Sequence, residues 1–341
     1  MRALYTTKYG GPEVLEVRET PDPQPKPGEV RVRVQRAGLN FSDIAARVGL
    51  YPDAPKPPMV SGYEIAGQID ALGEGVDGFA VGDRVLGLTR FGGQAELAVA
   101  NVGLVAKLPE GVSFDAAAAM PVTYLTAFHM LHQVARIKEG ERILVHMAAG
   151  GVGLSVIELA RKVPGVELFG TASASKHAML KEAGLDHPID YRSADYAQEV
   201  RRLTGGKGVN LVLDALGGKD WLKGYELLAP AGHLIAFGWA NMVSGTRRKV
   251  VHAGLEYLGM PRFSPMRLMN DNKTVSGVNV GHLWGAPEVL APAMKVLVPM
   301  LGRGEIRPRV DQVFPISRAA EAHRCIQDRK NVGKVLFDCT A

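Results

Sequence analysis

Arg142-Ile143-Leu144-Val145-His146-Met147-Ala148-Ala149-Gly150-Gly151-Val152-Gly153, running into Leu154–Val163, is the stretch on which the fold turns. Its first half has a short apolar centre, Ile-Leu-Val, and reads as a buried strand over Arg142–Met147. Its second half fits the GxGxxG spacing with alanine in the first place, and Leu154–Val163 reads as a helix. Such a turn ends the strand sharply and lets backbone approach a pyrophosphate, and its last glycine lets helix pack on sheet. The helix start adds unpaired N–H groups and the positive end of a dipole. Alone, the spacing is weak. Here Glu167–Thr171, His187–Tyr191, Val209–Asp214 and His233–Phe237 follow as strands, with Ala174–Ala183, Asp195–Leu203 and Trp221–Leu228 as helices between them. That alternation predicts an α/β doubly wound parallel sheet covered on both faces, with Gly150, Gly151, Val152 and Gly153 binding a dinucleotide.

The end of the next strand chooses the cofactor. An NAD enzyme places Asp or Glu there, roughly 20 residues past the glycines, to hold the ribose diol. This chain has Gly170-Thr171-Ala172-Ser173-Ala174-Ser175-Lys176-His177, with no carboxylate. Hydroxyls and an ammonium would hold a 2′-phosphate that a carboxylate would repel. NADPH is therefore the expected cofactor, with Ser173 and Lys176 as its selecting residues. The bland alternative for Lys176 is a solvated lysine at a helix start.

Outward from this centre, 341 residues suggest two domains. The first 110 or so are rich in Gly, Pro and β-branched residues. Glu29-Val30-Arg31-Val32-Arg33-Val34 alternates charged and apolar residues, as a half-buried strand does, and Gly82-Asp83 and Gly92-Gly93 mark turns. After Met266 short strands and helices mix, ending in a strand over Gly333–Asp338, while 243–266 is the least legible segment. A formal charge of +5 without nucleic-acid-binding motif spacings argues against a nucleic-acid partner. Cys325 and Cys339, in no metal-ligand spacing, read as free thiols of a reducing compartment. Without a signal-peptide pattern or an apolar run of ~18–20 residues, the expected location is cytoplasmic.

The runs Val145–Gly153, Phe169–His177 and His187–Tyr191 closely resemble the vesicle amine transport protein homologues, a branch of the zinc-independent quinone oxidoreductases within the medium-chain dehydrogenase/reductase superfamily. Gly38–Asp43, Gly73–Val76, Gly82–Val85, Ala116–Ala127, Asp214–Gly218 and Asn331–Phe337 extend the resemblance along essentially the whole chain. It implies a GroES-like β-rich catalytic domain split over 1–121 and 266–341, around a Rossmann NADPH-binding domain at 122–265. It implies a homodimer and an active site at the C-terminal ends of the Rossmann strands. It adds cofactor contacts: Thr126 in the joining helix, Gly151 and Val152 at the pyrophosphate, and Ser173, Lys176 and Tyr191 around the 2′-phosphate and adenine. Phe237 near the nicotinamide and Asn331 closing over the cofactor complete them.

The positions matching the superfamily's catalytic zinc ligands hold Asn40 and Tyr63, so no metal is expected. Without a Lewis acid the feasible acceptor is already electrophilic: a small-molecule quinone or α,β-unsaturated carbonyl. Tyr51, in Gly49-Leu50-Tyr51-Pro52, resembles the tyrosine that related enoyl reductases place near the nicotinamide, and is the candidate proton or hydrogen-bond donor. Its alternative is a gating ring. Asn40 would orient the carboxamide or the acceptor carbonyl, or simply stabilise a turn. Tyr63 is a third site residue or pocket lining, with Asp43 and Glu64 bracing from behind. His129 and His132 read as packed or surface residues. Two competing functions stand beside the first. One is a 2-enoyl thioester reductase, with Arg247, Arg248 and Lys249 as a basic entrance. The other is a lipid- or membrane-associated binding protein touching a bilayer through Val250–Met260.

Overall fold

The computed structural model of this chain describes residues 1–243 and 250–341, with backbone only at 250–253. Arg247, Arg248 and Lys249, the expected basic entrance, lie outside the described residues. Two compact units emerge: Met1–Leu125 with Val280–Ala341, and a second from Thr126 to Asn279.

In the first unit the alternation at 29–34 does what it predicts: Val30, Val32 and Val34 are buried, while Arg31 turns outward to Asp70 at 2.8 Å. The strand runs on to Leu39 and pairs antiparallel with Glu64–Leu72 and Leu97–Asn101. On its other side it takes Lys334–Asp338 antiparallel, with Val335 opposite Leu39 and Asp338 opposite Arg36. Val310–Pro315 then adds in parallel. The C-terminal segment thus completes the N-terminal sheet, and this register sets Lys334 beside Asn40. Both cysteines are buried and free, and they belong to the core under this sheet.

The second unit is a six-stranded parallel sheet. Across it run His187–Asp190, Glu167–Ala172, Arg142–Val145, Val209–Asp214, Leu228–Ala236 and Thr274–Gly277. In chain order this is 3-2-1-4-5-6, with the order reversing between Arg142–Val145 and Val209–Asp214. The last strand lies beyond residue 265, where the sequence expectation ended this domain. Thr274–Gly277 is a four-residue edge strand of mixed polarity, too short to carry a periodic signal. The strand predicted at His233–Phe237 begins at Leu228 instead, and its left-handed Ala231 (φ 60°) is tied by its N–H to the Asn272 carbonyl. Pro230-Ala231-Gly232 reads as a turn but is an irregularity inside one strand. Among the described residues no helix is long and apolar enough to cross a membrane. The helix Val250–Leu258 does leave Leu255, Tyr257 and Leu258 exposed.

Candidate active site

The fingerprint turn lies at the C-terminal end of a central strand of the second unit. Met147 adopts a left-handed φ of 55°, the Gly150 N–H closes the turn on the Met147 carbonyl at 2.9 Å, and the helix starts at once, over Gly151–Ala160. The predicted helix began three residues later; the glycines themselves form its first turn. No side chain caps this start, so its first N–H groups remain for a ligand. A Cβ on Gly153 would meet the Ala148 carbonyl oxygen at 2.4 Å, so only glycine lets the helix lie this close to the turn. The turn is strapped to the next strand by Ala148 N–H to Thr171 O at 3.0 Å. These residues fit a dinucleotide pyrophosphate.

Ala172 pairs with Asp190, which brings Ser173–Lys176 and Tyr191 to neighbouring strand ends. The Ser173 and Ser175 hydroxyls lie 3.3 Å apart. Arg192, not among the residues singled out from sequence, stands with its guanidinium carbon 5.8 Å from the Tyr191 ring centre and adds a cation to this end. The Asp190 carboxylate accepts from the Arg192 N–H at 3.1 Å and the Ser193 hydroxyl at 3.0 Å, and these bonds hold it below the usual carboxylate range. Phe237 follows the strand beside Asp214, its N–H on the Asp214 carbonyl at 2.9 Å. Thr126 is buried in the helix Pro121–Phe128.

The strand-order switch holds a pair that no pattern in the sequence joins. His146 and Asp214 are fully buried, with Nε2 3.8 Å from Oδ2. His146 Nδ1 lies 3.1 Å from the Thr171 hydroxyl, and Asp214 Oδ1 accepts from the Leu216 and Gly217 N–H groups at 2.6 and 3.0 Å. Burial pushes the histidine down and the aspartate up, so both are biased towards their neutral forms.

In the first unit Asn40 caps the helix Phe41–Arg47. Its backbone N–H donates to Asp43 Oδ2 at 2.8 Å, and Asp43 Oδ1 accepts from the Gly62 N–H at 3.0 Å. The Asn40 amide donates to Glu64 Oε1 at 2.9 Å and accepts from Lys334 Nζ at 2.5 Å. Lys334 Nζ also pairs with Glu64, whose other oxygen accepts from the Val122 N–H at 2.7 Å. A Cβ on Gly38 would sit 2.3 Å from Glu64 Oε1; glycine leaves the carboxylate its room. Asp43, Glu64 and Lys334 are all buried. Burial pushes the Asp43 carboxyl up to about 7, against the pull of its two N–H donors and the Lys334 charge. Asn331, three residues before Lys334, shapes that turn through its side chain on the Gly333 carbonyl at 2.8 Å. The sequence reading missed Lys334 because it lies 294 residues from Asn40.

Tyr63, buried beside this cluster, stacks on Trp284 with ring centres 5.2 Å apart and touches Phe91 and the Tyr51 ring edge at 5.1 and 6.2 Å. Burial, with Asp43 adding, pushes its phenol up. Tyr51 opens a turn closed by the Ala54 N–H on its carbonyl at 3.1 Å. These rings line a cavity of about 750 Å³ inside the first unit, together with Asp53 and His282, which pair with each other. Among the described residues no group of three or more His, Cys, Asp or Glu is placed to hold a metal ion.

The family described as an alcohol dehydrogenase GroES-like domain matches residues 26–110, and the family described as a zinc-binding dehydrogenase matches 183–336. The human synaptic vesicle membrane protein VAT-1 homolog is 40% identical over 340 residues, covering 99% of this chain and 86% of that protein. The quinone oxidoreductase of Pseudomonas aeruginosa is 37% identical over 333 residues, covering 96% of this chain and 97% of that one. The structure of Escherichia coli quinone oxidoreductase complexed with NADPH superposes with a TM-score of 0.87 at 30% identity, covering 99% of this chain and 100% of that one.

Proposed function

This chain belongs to the medium-chain dehydrogenase/reductase superfamily, in the branch of the VAT-1 homologues and with quinone oxidoreductases among its neighbours; from that premise we propose that it is an NADPH-dependent, metal-independent reductase of quinones or activated carbon–carbon double bonds. The observation that carries the reading is the setting of Asn40. Where the superfamily's metal enzymes have a ligand, this chain has an amide locked between the Lys334 ammonium and the Glu64 carboxylate. The ammonium and the carboxylate compensate each other and hold the amide in one orientation.

When bound, the reduced nicotinamide supplies a hydride, two electrons with one hydrogen. Gly150–Gly153 and the helix start hold the pyrophosphate, and Ser173, Lys176 and Tyr191 hold the 2′-phosphate and adenine end. Thr126, Phe237 and Asn331 complete the cofactor set of this reading. The Asn40 amide keeps one N–H and one lone pair beyond those it has used, enough to orient a carboxamide or an acceptor carbonyl. Hydride addition at the β-carbon of an enone breaks the carbon–carbon π bond and moves its electron pair onto the carbonyl oxygen. Tyr51 hydrogen-bonds that oxygen as charge develops, and a proton then reaches the α-carbon to leave the saturated carbonyl. With a quinone, the same hydride and one proton give the hydroquinone. Tyr63, buried in the aromatic stack, sets the wall against which Tyr51 rests. A cytoplasmic homodimer belongs to the same reading.

A panel of quinones, alkenals and enoyl thioesters, with NADPH consumption followed by absorbance, tests it. At least one acceptor class is expected to be reduced with turnover well above the buffer rate. No consumption with any class would overturn the reading.

A further inference from the structure

We propose that the cavity of the first unit selects acceptors that carry an anionic group, a carboxylate or a phosphate, on a planar conjugated body, and that Arg90 is the residue that recognises this charge. The inference rests on the reading of the chain as a reductase and names the substrate class of that site.

Three observations converge. First, the walls are aromatic. Tyr63 and Trp284 are nearly parallel at 13°, and Phe91 tilts against Tyr63 at 55°. A space of about 750 Å³ with such walls suits a flat, conjugated molecule. Second, the loop that brings Phe91 there is held in an unfavourable backbone conformation. Phe91 has φ 67°, in the left-handed region that a bulky residue rarely occupies, and Gly92 follows at φ 76°. The loop is pinned by Gly92 N–H to Val60 O at 2.9 Å and Gln94 N–H to Ser61 O at 3.0 Å. Strain that the surrounding structure enforces in this way tends to mark a functional wall. Third, the lining carries two cations, Lys26 and Arg90, and two carboxylates, Glu29 and Asp53. Asp53 is paired with His282, and one Glu29 oxygen accepts from the Lys26 backbone N–H at 2.9 Å. Arg90, directly before the strained phenylalanine, lines the same cavity and forms no ion pair among the described residues. Arg90 is exposed, and its guanidinium is shaped for two parallel hydrogen bonds to a carboxylate or phosphate. Tyr51 lines the cavity too.

The test compares cinnamaldehyde with its para-carboxy and para-phosphonooxy derivatives. In the wild type, kcat/KM for the charged aldehydes is expected to exceed that for the neutral one by about 10-fold, falling as salt rises. Arg90→Gln should bring the charged aldehydes down to the neutral level and leave cinnamaldehyde within about twofold. A preference for only one of the two anions still supports the proposal and identifies the group. A readout without turnover accompanies this. Hydrocinnamamide and its para-carboxy derivative are titrated by quenching of tryptophan emission, with Trp284→Phe assigning the signal to the cavity. The carboxy derivative should bind about 10-fold tighter, and only in the presence of Arg90. Equal binding and equal kcat/KM for neutral and charged compounds, or equal losses for both in Arg90→Gln, would overturn the proposal. Reduction of cinnamaldehyde without any charge preference would sink this inference and leave the reductase reading intact. Arg90-dependent binding with no reduction of any acceptor would do the reverse.

Discussion

Lys334→Met is the substitution whose consequence can be worked furthest from the structure. The Lys334 side chain is 5% exposed and the Glu64 side chain 0% exposed, so the pair is screened little by solvent. Methionine matches the aliphatic stem and removes the charge together with the Nζ hydrogen bond to Asn40 Oδ1. Glu64 would keep its bonds from the Asn40 amide at 2.9 Å and the Val122 N–H at 2.7 Å, both already present in the wild type. What it loses is its countercharge, and leaving one partner of a buried pair uncompensated costs about 3–5 kcal/mol. In a unit of this size that lowers Tm by on the order of 10 °C. The assay is thermal and urea unfolding followed by Trp284 emission. Trp284 is the one tryptophan of the first unit, so Trp221→Phe and Trp239→Phe in the background isolate its transition. Adding Glu64→Gln neutralises the stranded carboxylate, and the double variant should recover more than half of the loss. A Lys334→Met protein within about 1 kcal/mol of the parent, or a double variant no more stable than the single one, would refute the reasoning.

Three further outcomes follow from the same geometry. NADPH should bind at least ~10-fold tighter than NADH, and Lys176→Ala should erase most of that difference; equal dissociation constants in the wild type would contradict it. Tyr51→Phe, which removes only a hydroxyl, should lower single-turnover reduction by ~10²-fold with NADPH affinity nearly unchanged, whereas a gating ring would tolerate phenylalanine. Asp43 is raised from 3.8 to about 7 by burial, so its contribution to stability is fully present below pH ~4 and is lost as pH rises through ~7, on the order of 4 kcal/mol in all. Asp43→Asn should flatten that part of the stability–pH profile; an unchanged slope would assign it to other groups.

What was legible in the sequence was local. The fingerprint at 148–153 declares itself because turn, close approach and helix start are all encoded within six residues. The alternation at 29–34 fixed which face of that strand is buried, since side chains alternate with a period of two. Thr274–Gly277 escaped notice because four edge residues carry no periodicity, and Leu228–Gly232 because Pro-Ala-Gly imitates a turn. The candidate site was half visible. Asn40 and Tyr63 stood out by the zinc ligands they are not. Lys334, which locks Asn40, and Trp284, which stacks on Tyr63, are joined to them only by the sheet register and by a segment from the far end of the chain. His146 and Asp214 sit 68 positions apart and meet only because their strands are neighbours in the parallel sheet. Single-sequence reasoning has no access to such pairings.

Deuterium transfer tests the proposed chemistry most directly. Chelator-treated protein is mixed with NADPH labelled at the transferable position and with a neutral enone such as cinnamaldehyde, and the product is analysed by mass spectrometry and NMR. One deuterium is expected at the β-carbon and one solvent-derived hydrogen at the α-carbon, formed at the rate of NADPH consumption. No label in the product, label on the carbonyl carbon, or transfer that disappears on chelation and returns with zinc would contradict a metal-independent reductase of activated double bonds.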